Sequence, residues 1–242
     1  MKKFIVYIFL LIPNISHADL NSGLIGWWKL DETSGNAIDS SGQGNTGTPS
    51  GTTIIAGCRK AGCRSFNGTT DNVEIGQATF NGTIRNYTYT AWVNLNSVAG
   101  TRTIMAHGSR SFLQVQGGKA GMHFCAVGAC NQEILGNISL STGTWYHIAV
   151  VQSSTTGITV YVNGAQDVNS SGSPYTSDLD PYAGDYAGIG RYRWDGNPGG
   201  YTDGMIDDVR IYNRVLSASE ILNLYNITSS SINNAVIGSA NF

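Results

Sequence analysis

The stretch from Ser173 to Asp203 carries the side chains of this chain that are best suited to binding chemistry. Aromatic rings stack on the C–H surfaces of sugars, carboxylates accept hydrogen bonds from sugar hydroxyls, and loops on a rigid scaffold commonly form such sites. The pattern predicts a sugar-binding surface formed by Tyr182, Tyr186, Arg191, Tyr192, Trp194, Asp195 and Tyr201. The alternative is a long loop that packs against its own aromatic side chains.

Groups that could catalyse a reaction are sparse. A retaining glycosidase needs two carboxylates about 5–5.5 Å apart, but no two glutamates lie within forty residues of each other, at Glu32, Glu74, Glu133 and Glu220. Asp207 and Asp208 are adjacent, which predicts side chains on opposite faces of a strand. The chain also has no Gly-x-Ser-x-Gly, HExxH, P-loop or GxGxxG motif. We therefore predict that the protein is not an enzyme.

The four cysteines form two pairs with the same short spacing, Cys58 with Cys63 and Cys125 with Cys130. Four cysteines allow three pairings, of which the two local disulfides are the simplest. Zinc sites prefer closer cysteine pairs, often with histidine partners. We therefore predict two disulfides, which suits an oxidising compartment.

The composition of the chain and its terminal segments indicate the broad class of protein. The chain has 242 residues, 41% of them hydrophobic and 12% charged, with a formal net charge of −2. This balance argues against disorder, and the lack of a basic excess argues against a nucleic-acid partner. Residues 1–18 have the three regions of a secretory signal peptide, so we predict a secreted, periplasmic or cell-surface protein without a membrane span in the mature chain. One domain over residues 19–227 and a flexible tail over 228–242 complete the predicted organisation.

Short runs with strand patterns follow one another along the chain. Tyr87–Leu95 alternates with a period of two, Trp145–Gln152 is apolar on both faces, and Ile158–Asn163 ends in an Asn-Gly turn. One helix is indicated, where Ser217 and Glu220 form a capping box before Ile221. The pattern predicts an all-β fold of two antiparallel sheets with one short C-terminal helix.

Four motifs resemble one known family. They are GLIGWWKLDETSG from Gly23, RSFNGTTDNVEI from Arg64, the hairpin within Gly143–Gly164, and GMIDDVRIYNRVLSASEILNLY from Gly204. The chain is similar in these motifs to LamG-like jelly-roll domains of the concanavalin A-like lectin/glucanase superfamily, the laminin-G/pentraxin type. The resemblance covers residues 23 to about 226 and implies a jelly-roll sandwich, but it says little about function.

The resemblance also implies a structural calcium ion near the meeting point of the opening and closing strands. Calcium takes six to eight oxygen ligands. Carried over by motif, the ligands are Asp31, Asn67, the Gly68 carbonyl and Asp207. The family usually has aspartate at the position of Asn67, which removes one charge from the expected site.

Together these features predict an exported, non-catalytic carbohydrate-binding module, similar to a lectin, with a structural calcium. The alternative is an adhesion module that contacts a cell-surface protein, because Tyr, Trp and Arg also anchor protein interfaces. A glycan or a cell-surface protein is thus the expected partner, and the sequence does not separate the two.

Overall fold

Two antiparallel β-sheets pack face to face in the computed structural model, which describes residues 19–76, 86–107, 111–126, 129–169, 187–194 and 197–227. The side chains of residues 125, 126, 129–131, 169 and 194 lie outside this description, as do the predicted signal peptide and tail. The strands are β1 (Leu24–Trp28), β2 (Thr48–Ser50), β3 (Thr53–Ala56), β4 (Gly62–Asn67), β5 (Asn72–Gly76), β6 (Tyr87–Leu95), β7 (Thr101–His107), β8 (Ser111–Gln116), β9 (Lys119–Ala126), β10 (Ala129–Ser139), β11 (Trp145–Ser153), β12 (Gly157–Val162), β13 (Ala165–Asn169), β14 (Ala187–Ile189), β15 (Tyr192–Trp194), β16 (Asn197–Gly199) and β17 (Asp203–Tyr212). The helix is α1 (Ala218–Asn226).

The order of the strands confirms the predicted jelly-roll sandwich with one short helix. The eight-stranded sheet runs β13-β12-β11-β6-β17-β4-β3, with β1 also paired to β17. The seven-stranded sheet runs β10-β9-β8-β7-β14-β5-β2, and β15 and β16 form a separate hairpin. Neighbours in space are often distant in sequence, so residues from far-apart segments meet on one sheet face.

The main core lies between the two sheets, because successive side chains on a strand point to opposite faces. On β6 the predicted alternation is confirmed, and the face with Tyr87, Tyr89, Ala91, Val93 and Leu95 lies in the core. The other face of β6 is also buried. A second apolar cluster lies on this outer face of the eight-stranded sheet, where Tyr212 packs with residues of α1.

The predicted capping box is present at the start of α1. Ser217 Oγ accepts the Glu220 N–H at 3.3 Å, and Glu220 Oε2 accepts the Ser217 N–H at 2.8 Å. Leu216 before the cap and Ile221 inside the helix lie in the same apolar cluster. Local hydrogen bonds and burial therefore define the start of this helix and its attachment to the sheet.

One edge of the sandwich is joined by a carboxylate. Asp167 on β13 accepts the backbone N–H of Asn137 at 2.8 Å and that of Ile138 at 3.0 Å, both on β10. Strands β13 and β10 are edge strands of different sheets. We call these hydrogen bonds the Asp167 clasp, and they hold the two sheets together along this edge.

The first strand and the last strand lie side by side. Strand β1 pairs with the end of β17, with Leu24 opposite Tyr212 and Trp28 opposite Val209. Beyond this pair, the Arg214 guanidinium donates to the backbone carbonyl of Ser22 at 2.7 Å and to that of Asp19 at 3.3 Å. The polypeptide therefore enters and leaves the sandwich at nearly the same place.

A bulge in β17 overturns the expectation that Asp207 and Asp208 point to opposite faces. Asp208 has a positive φ of 51°, and the pairing with β6 shifts register between Asp207 and Arg210. Both carboxylates contact Lys60, Asp207 through the backbone N–H at 3.1 Å and Asp208 through Nζ at 2.8 Å. The extra bulge residue breaks the alternation on which the expectation depended.

Candidate functional site

A row of outward-facing residues crosses the seven-stranded sheet. Strand registers place one residue from each of six neighbouring strands side by side. Their chain neighbours, such as Val73, Met105 and Leu113, point into the core, so the row faces away from it. In order across the sheet, the row is Glu74, Gly188, Ala106, Phe112, His123 and Glu133.

Three aromatic rings stack along this row. The Phe112 and His123 rings are 4.4 Å apart and nearly parallel, and Tyr192 stacks on Phe112 at 5.1 Å. Phe112 is only 2% exposed, whereas Tyr192 is half-buried. Burial lowers the pKa of His123 below its usual 6.5, although the Glu133 carboxylate acts in the opposite direction. We call Tyr192, Phe112 and His123 the aromatic stack.

Two glycines hold Tyr192 in this position. A Cβ added to Gly199 would lie 2.5 Å from the Tyr192 hydroxyl, and one added to Gly200 would lie 2.7 Å from its ring. Gly200 also has a positive φ of 58°, which favours glycine. The hairpin of β15 and β16 therefore leaves room for the Tyr192 ring to lie along its own backbone.

A shallow cleft lies beside the aromatic stack. Arg191 Nη2 is 3.3 Å from Glu74 Oε2, and the Glu74 side chain is the more exposed of the two, at 38% against 13%. A Cβ added to Gly188 would come within 4 Å of only one atom, the Val73 carbonyl oxygen at 3.2 Å, so the floor of the cleft is open. The lining residues are Asn72, Val73, Glu74, Ala187, Gly188, Arg191, Tyr192 and Arg193.

Polar side chains are fixed in place on the other side of the aromatic stack. Gln114 Nε2 donates to Glu133 Oε1 at 3.3 Å, and Gln116 Nε2 donates to Glu133 Oε2 at 2.9 Å. Thr101 Oγ1 donates to Gln116 Oε1 at 3.2 Å. The face thus combines an aromatic surface with oriented donors and acceptors, the groups that position a polar ligand ring in a shallow cleft.

Comparison with protein families agrees with this architecture. A laminin-G-type family model, described as the concanavalin A-like lectin/glucanases superfamily, matches residues 67–222. The chain belongs to the concanavalin A-like lectin/glucanase superfamily. The matched region runs from the end of β4 into α1 and contains every described residue of the cleft, so the resemblance in the sequence motifs is confirmed.

Solved structures of low sequence identity share the fold. Domain 4 of AbnA, a GH43 extracellular arabinanase from Geobacillus stearothermophilus in complex with arabinotriose, is 18% identical with a TM-score of 0.66, and the match covers 85% of this chain and 99% of that one. The binding domain of Paraclostridial Mosquitocidal Protein 1 is 15% identical, with a TM-score of 0.68 and coverage of 85% and 52%. A Trypanosoma rangeli sialidase mutant displaying trans-sialidase activity is 18% identical, with a TM-score of 0.62 and coverage of 84% and 32%. No curated protein matches the chain in sequence.

Two of the residues predicted to bind sugar lie at the cleft of this superfamily member. Arg191 and Tyr192 both line it, and Tyr201 lies close by in sequence, where its backbone carbonyl accepts a hydrogen bond from Arg102 at 3.0 Å. The Trp194 side chain and all of Tyr182, Tyr186 and Asp195 lie outside the described residues. For all seven predicted residues a role in binding stays a prediction.

Sequence reasoning missed the partners of Tyr192. Phe112, His123 and Glu74 lie in three different strands, and they form one row only through the pairing of those strands. Each stands at an outward position of an alternating strand, the one signal that the sequence offered. That signal marks a sheet face but not which strands share it.

One of the two predicted disulfides is confirmed. Cys58 and Cys63 are bonded, with their Cα atoms 5.7 Å apart. The side chains of Cys125 and Cys130 lie outside the described residues, so their pairing stays a prediction.

The four residues predicted to bind calcium do not come together in this superfamily member. Asn67 pairs with Asp203, and Asp207 lies four residues farther along β17, about 13 Å away at the usual rise of a strand. Calcium ligands lie about 2.3–2.6 Å from the ion, so Asn67 and Asp207 cannot share one. The Asn67 Oδ1 atom also accepts three backbone N–H groups of the turn that follows. We therefore assign no calcium site to Asp31, Asn67, Gly68 and Asp207.

No group of three or more His, Cys, Asp or Glu side chains with the arrangement of a metal site occurs in the described part of the chain. Asp31 is nevertheless near enough to Asp207 for its charge to contribute to the raised pKa of that carboxyl. The structure thus brings two of the four predicted ligands into electrostatic range of each other.

Two pairs of carboxylates deserve comparison with those of glycosidases. Glu74 and Glu133 lie at the two ends of the row, five strand spacings or about 24 Å apart, far beyond the separation that a retaining mechanism needs. Burial and the charge of Asp208 raise the pKa of Asp207 to about 7. Burial opposes ionisation of Asp208 too, but Arg210 and Lys60 lower its pKa. Divergent pKa values are typical of the acid–base pairs of enzymes. Asp207 and Asp208 are both buried, however, so neither carboxylate faces solvent, where a substrate would have to reach it.

Within the described residues, no helix is both long enough and apolar enough to cross a membrane.

Proposed function

We propose that the protein binds carbohydrate, without transforming it, in the cleft on the outer face of the seven-stranded sheet. The observation that carries this proposal is the half-buried Tyr192 ring beside the Glu74–Arg191 ion pair. The ring offers a flat apolar surface, and the ion pair offers an acceptor and donors for hydroxyl groups. Both are positioned by strands before any ligand arrives, which lowers the entropic cost of binding.

The aromatic stack supports the role of Tyr192. A ring with one face on Phe112 and its edge along Gly199 and Gly200 has little rotamer freedom to lose when a ligand stacks on it. The superfamily membership and the similar arabinanase domain, solved in complex with arabinotriose, also support a saccharide ligand.

The proposal of a non-catalytic module is supported by the separation of Glu74 and Glu133 and by the burial of Asp207 and Asp208. Export remains part of the proposal, since residues 1–18 have the pattern of a signal peptide and the Cys58–Cys63 disulfide suits an oxidising compartment. Calcium binding also remains part of it, with no ligand set assigned. A lower melting temperature in chelator supports a bound ion, and an unchanged one contradicts it.

A glycan array followed by calorimetry with the best saccharide tests the proposed site. Tyr192→Ala removes the stacking surface and should weaken binding about tenfold, or about 1.4 kcal/mol. Tyr225→Ala is the matched control, because Tyr225 lies on α1 against the other sheet and should leave the affinity unchanged. Equal affinities of the two variants would contradict the assignment of the site.

A cell-surface protein is the second candidate ligand. Tyr192 together with Arg191 and Arg193 is the kind of residue set that anchors protein interfaces, and one similar fold belongs to the binding domain of a mosquitocidal protein. A silent glycan array, with capture of one surface protein that Tyr192→Ala abolishes, would favour this candidate.

A further inference from the structure

The loop between β3 and β4 is closed into a small ring by the Cys58–Cys63 disulfide. Within it, the N–H groups of Gly57 and Cys58 both donate to the Ala61 carbonyl, at 2.8 and 3.1 Å. None of the residues of β3 belongs to either apolar cluster. The position of the loop therefore depends on the β3–β4 ladder, the ring and its own contacts rather than on core packing.

Both side chains at the tip of this ring bind the outer face of the eight-stranded sheet. The Arg59 guanidinium lies 4.2 Å from the centre of the Trp92 ring, a cation–π contact. Lys60 donates its backbone N–H to Asp207 and places Nζ 2.8 Å from Asp208. The ring thus touches one aromatic residue and two carboxylates.

The residues beneath the ring form a second cross-strand row. His147 on β11 pairs with Trp92 on β6, which pairs with Asp207 on β17. Trp92 is 2% exposed and Asp207 is 1% exposed, although both stand on the face that points away from the main core. Tyr225 of α1 covers Trp92 from another side, with the ring centres 5.5 Å apart.

We propose that the Cys58–Cys63 bond is a redox-sensitive clamp that keeps this row covered. A dithiol reductant breaks the bond by exchange: its first thiolate attacks one sulfur, its second releases the mixed disulfide, and the reductant leaves as a cyclic disulfide. Cys58 and Cys63 are left as two protonated thiols. Cys58 is partly exposed, which gives the reductant a point of attack.

Opening of the clamp releases residues 57–62 from the constraint that orients Arg59 and Lys60. The loop then leaves the sheet, and Trp92 and Asp207 become accessible to solvent. The core between the sheets stays folded, because no loop residue belongs to it. The change is therefore local, like other low-stability segments that open without global unfolding.

Radical footprinting with mass spectrometry tests the clamp on the whole chain, before and after dithiothreitol. Oxidation of Trp92 should rise several-fold on reduction, while Trp28, fully buried in the core, stays protected as an internal control. The double variant Cys58→Ser/Cys63→Ser should show the high Trp92 oxidation without reductant. The matched variant Cys125→Ser/Cys130→Ser should behave like the unmodified chain.

Two results would overturn the proposal. If Trp92 stays protected in Cys58→Ser/Cys63→Ser, the loop holds its place without the disulfide. If Trp28 is oxidised together with Trp92, reduction unfolds the whole sandwich. The disulfide then stabilises the entire fold and does not act only on the loop.

Discussion

Gly188 keeps the floor of the cleft open between Glu74 and Ala106. Valine suits a strand backbone, but its side chain would fill the space in which a ligand ring lies. We expect Gly188→Val to weaken binding about tenfold or more, or about 1.4 kcal/mol, and to lower the melting temperature, because its Cβ would lie 3.2 Å from the Val73 carbonyl oxygen. Calorimetry with the saccharide found on the array measures the effect.

Thr48→Val provides the control for this substitution. Thr48 is an exposed residue of β2, paired with Glu74 on the side away from Gly188, so the same β-branched side chain adds no bulk to the cleft. Undiminished affinity in Gly188→Val would mean that the ligand binds elsewhere.

At the scale of elements, the Asp167 clasp ties β13 to β10 across the edge of the sandwich. Asp167→Ala leaves two backbone N–H groups without their acceptor, but both lie at the surface, where water replaces part of the loss. We expect a cost of about 1.5 kcal/mol in the free energy of unfolding, at the low end for bonds to a charged group. Urea unfolding measures this cost.

Hydrogen exchange gives the clasp a more local test. The amides of Asn137 and Ile138 should exchange faster in Asp167→Ala, whereas amides inside the β11–β12 pair should not change. Asp167→Asn keeps one side-chain oxygen, so its exchange rates at Asn137 and Ile138 should lie between those of the unmodified chain and Asp167→Ala. Identical exchange at Asn137 in all three would show that the clasp does not hold this edge.

Elements with a strong pattern were predictable from the sequence, and short ones were not. Tyr87–Leu95 alternates over nine residues, and its alternation is as predicted. Strand β14 is the three-residue segment Ala187–Ile189 and has too few residues for any period, although it lies between β5 and β7 under the cleft. The composition of Ser173–Asp203 pointed to Tyr192, but strand pairing alone brings Phe112 and His123 beside it.

At the scale of the whole molecule, burial of a neutral histidine links stability to pH. Burial lowers the pKa of His147 to about 3, against about 6.5 in an unfolded chain. Between these values the unfolded state binds the proton and the folded state does not, so stability falls as the pH falls. The contribution is fully present above pH 6.5 and decreases by up to about 1.4 kcal/mol per pH unit below it.

His147→Gln should remove this part of the pH dependence. Urea unfolding at pH 7 and pH 4.5 measures it: the unmodified chain should lose more stability between the two values than the variant does. Lys119→Gln is a suitable control, because Lys119 lies on β9 of the other sheet and the substitution leaves His147 untouched. Equal losses in the unmodified chain and His147→Gln would contradict the assignment of a neutral buried histidine.

The pairing of the first and last strands determines how the sandwich responds to mechanical force. Leu24 at the start of β1 stands opposite Tyr212 at the end of β17, so a pull through the two ends loads their hydrogen bonds one after another, as in a zipper, rather than all together in shear. On the C-terminal side the load passes through α1, which packs on the outer face of the sheet, before it reaches the Arg214 contacts to Ser22 and Asp19. The cleft lies on the other sheet, outside this load path, so tension on a tethered molecule peels β1 while the Tyr192 surface keeps its shape.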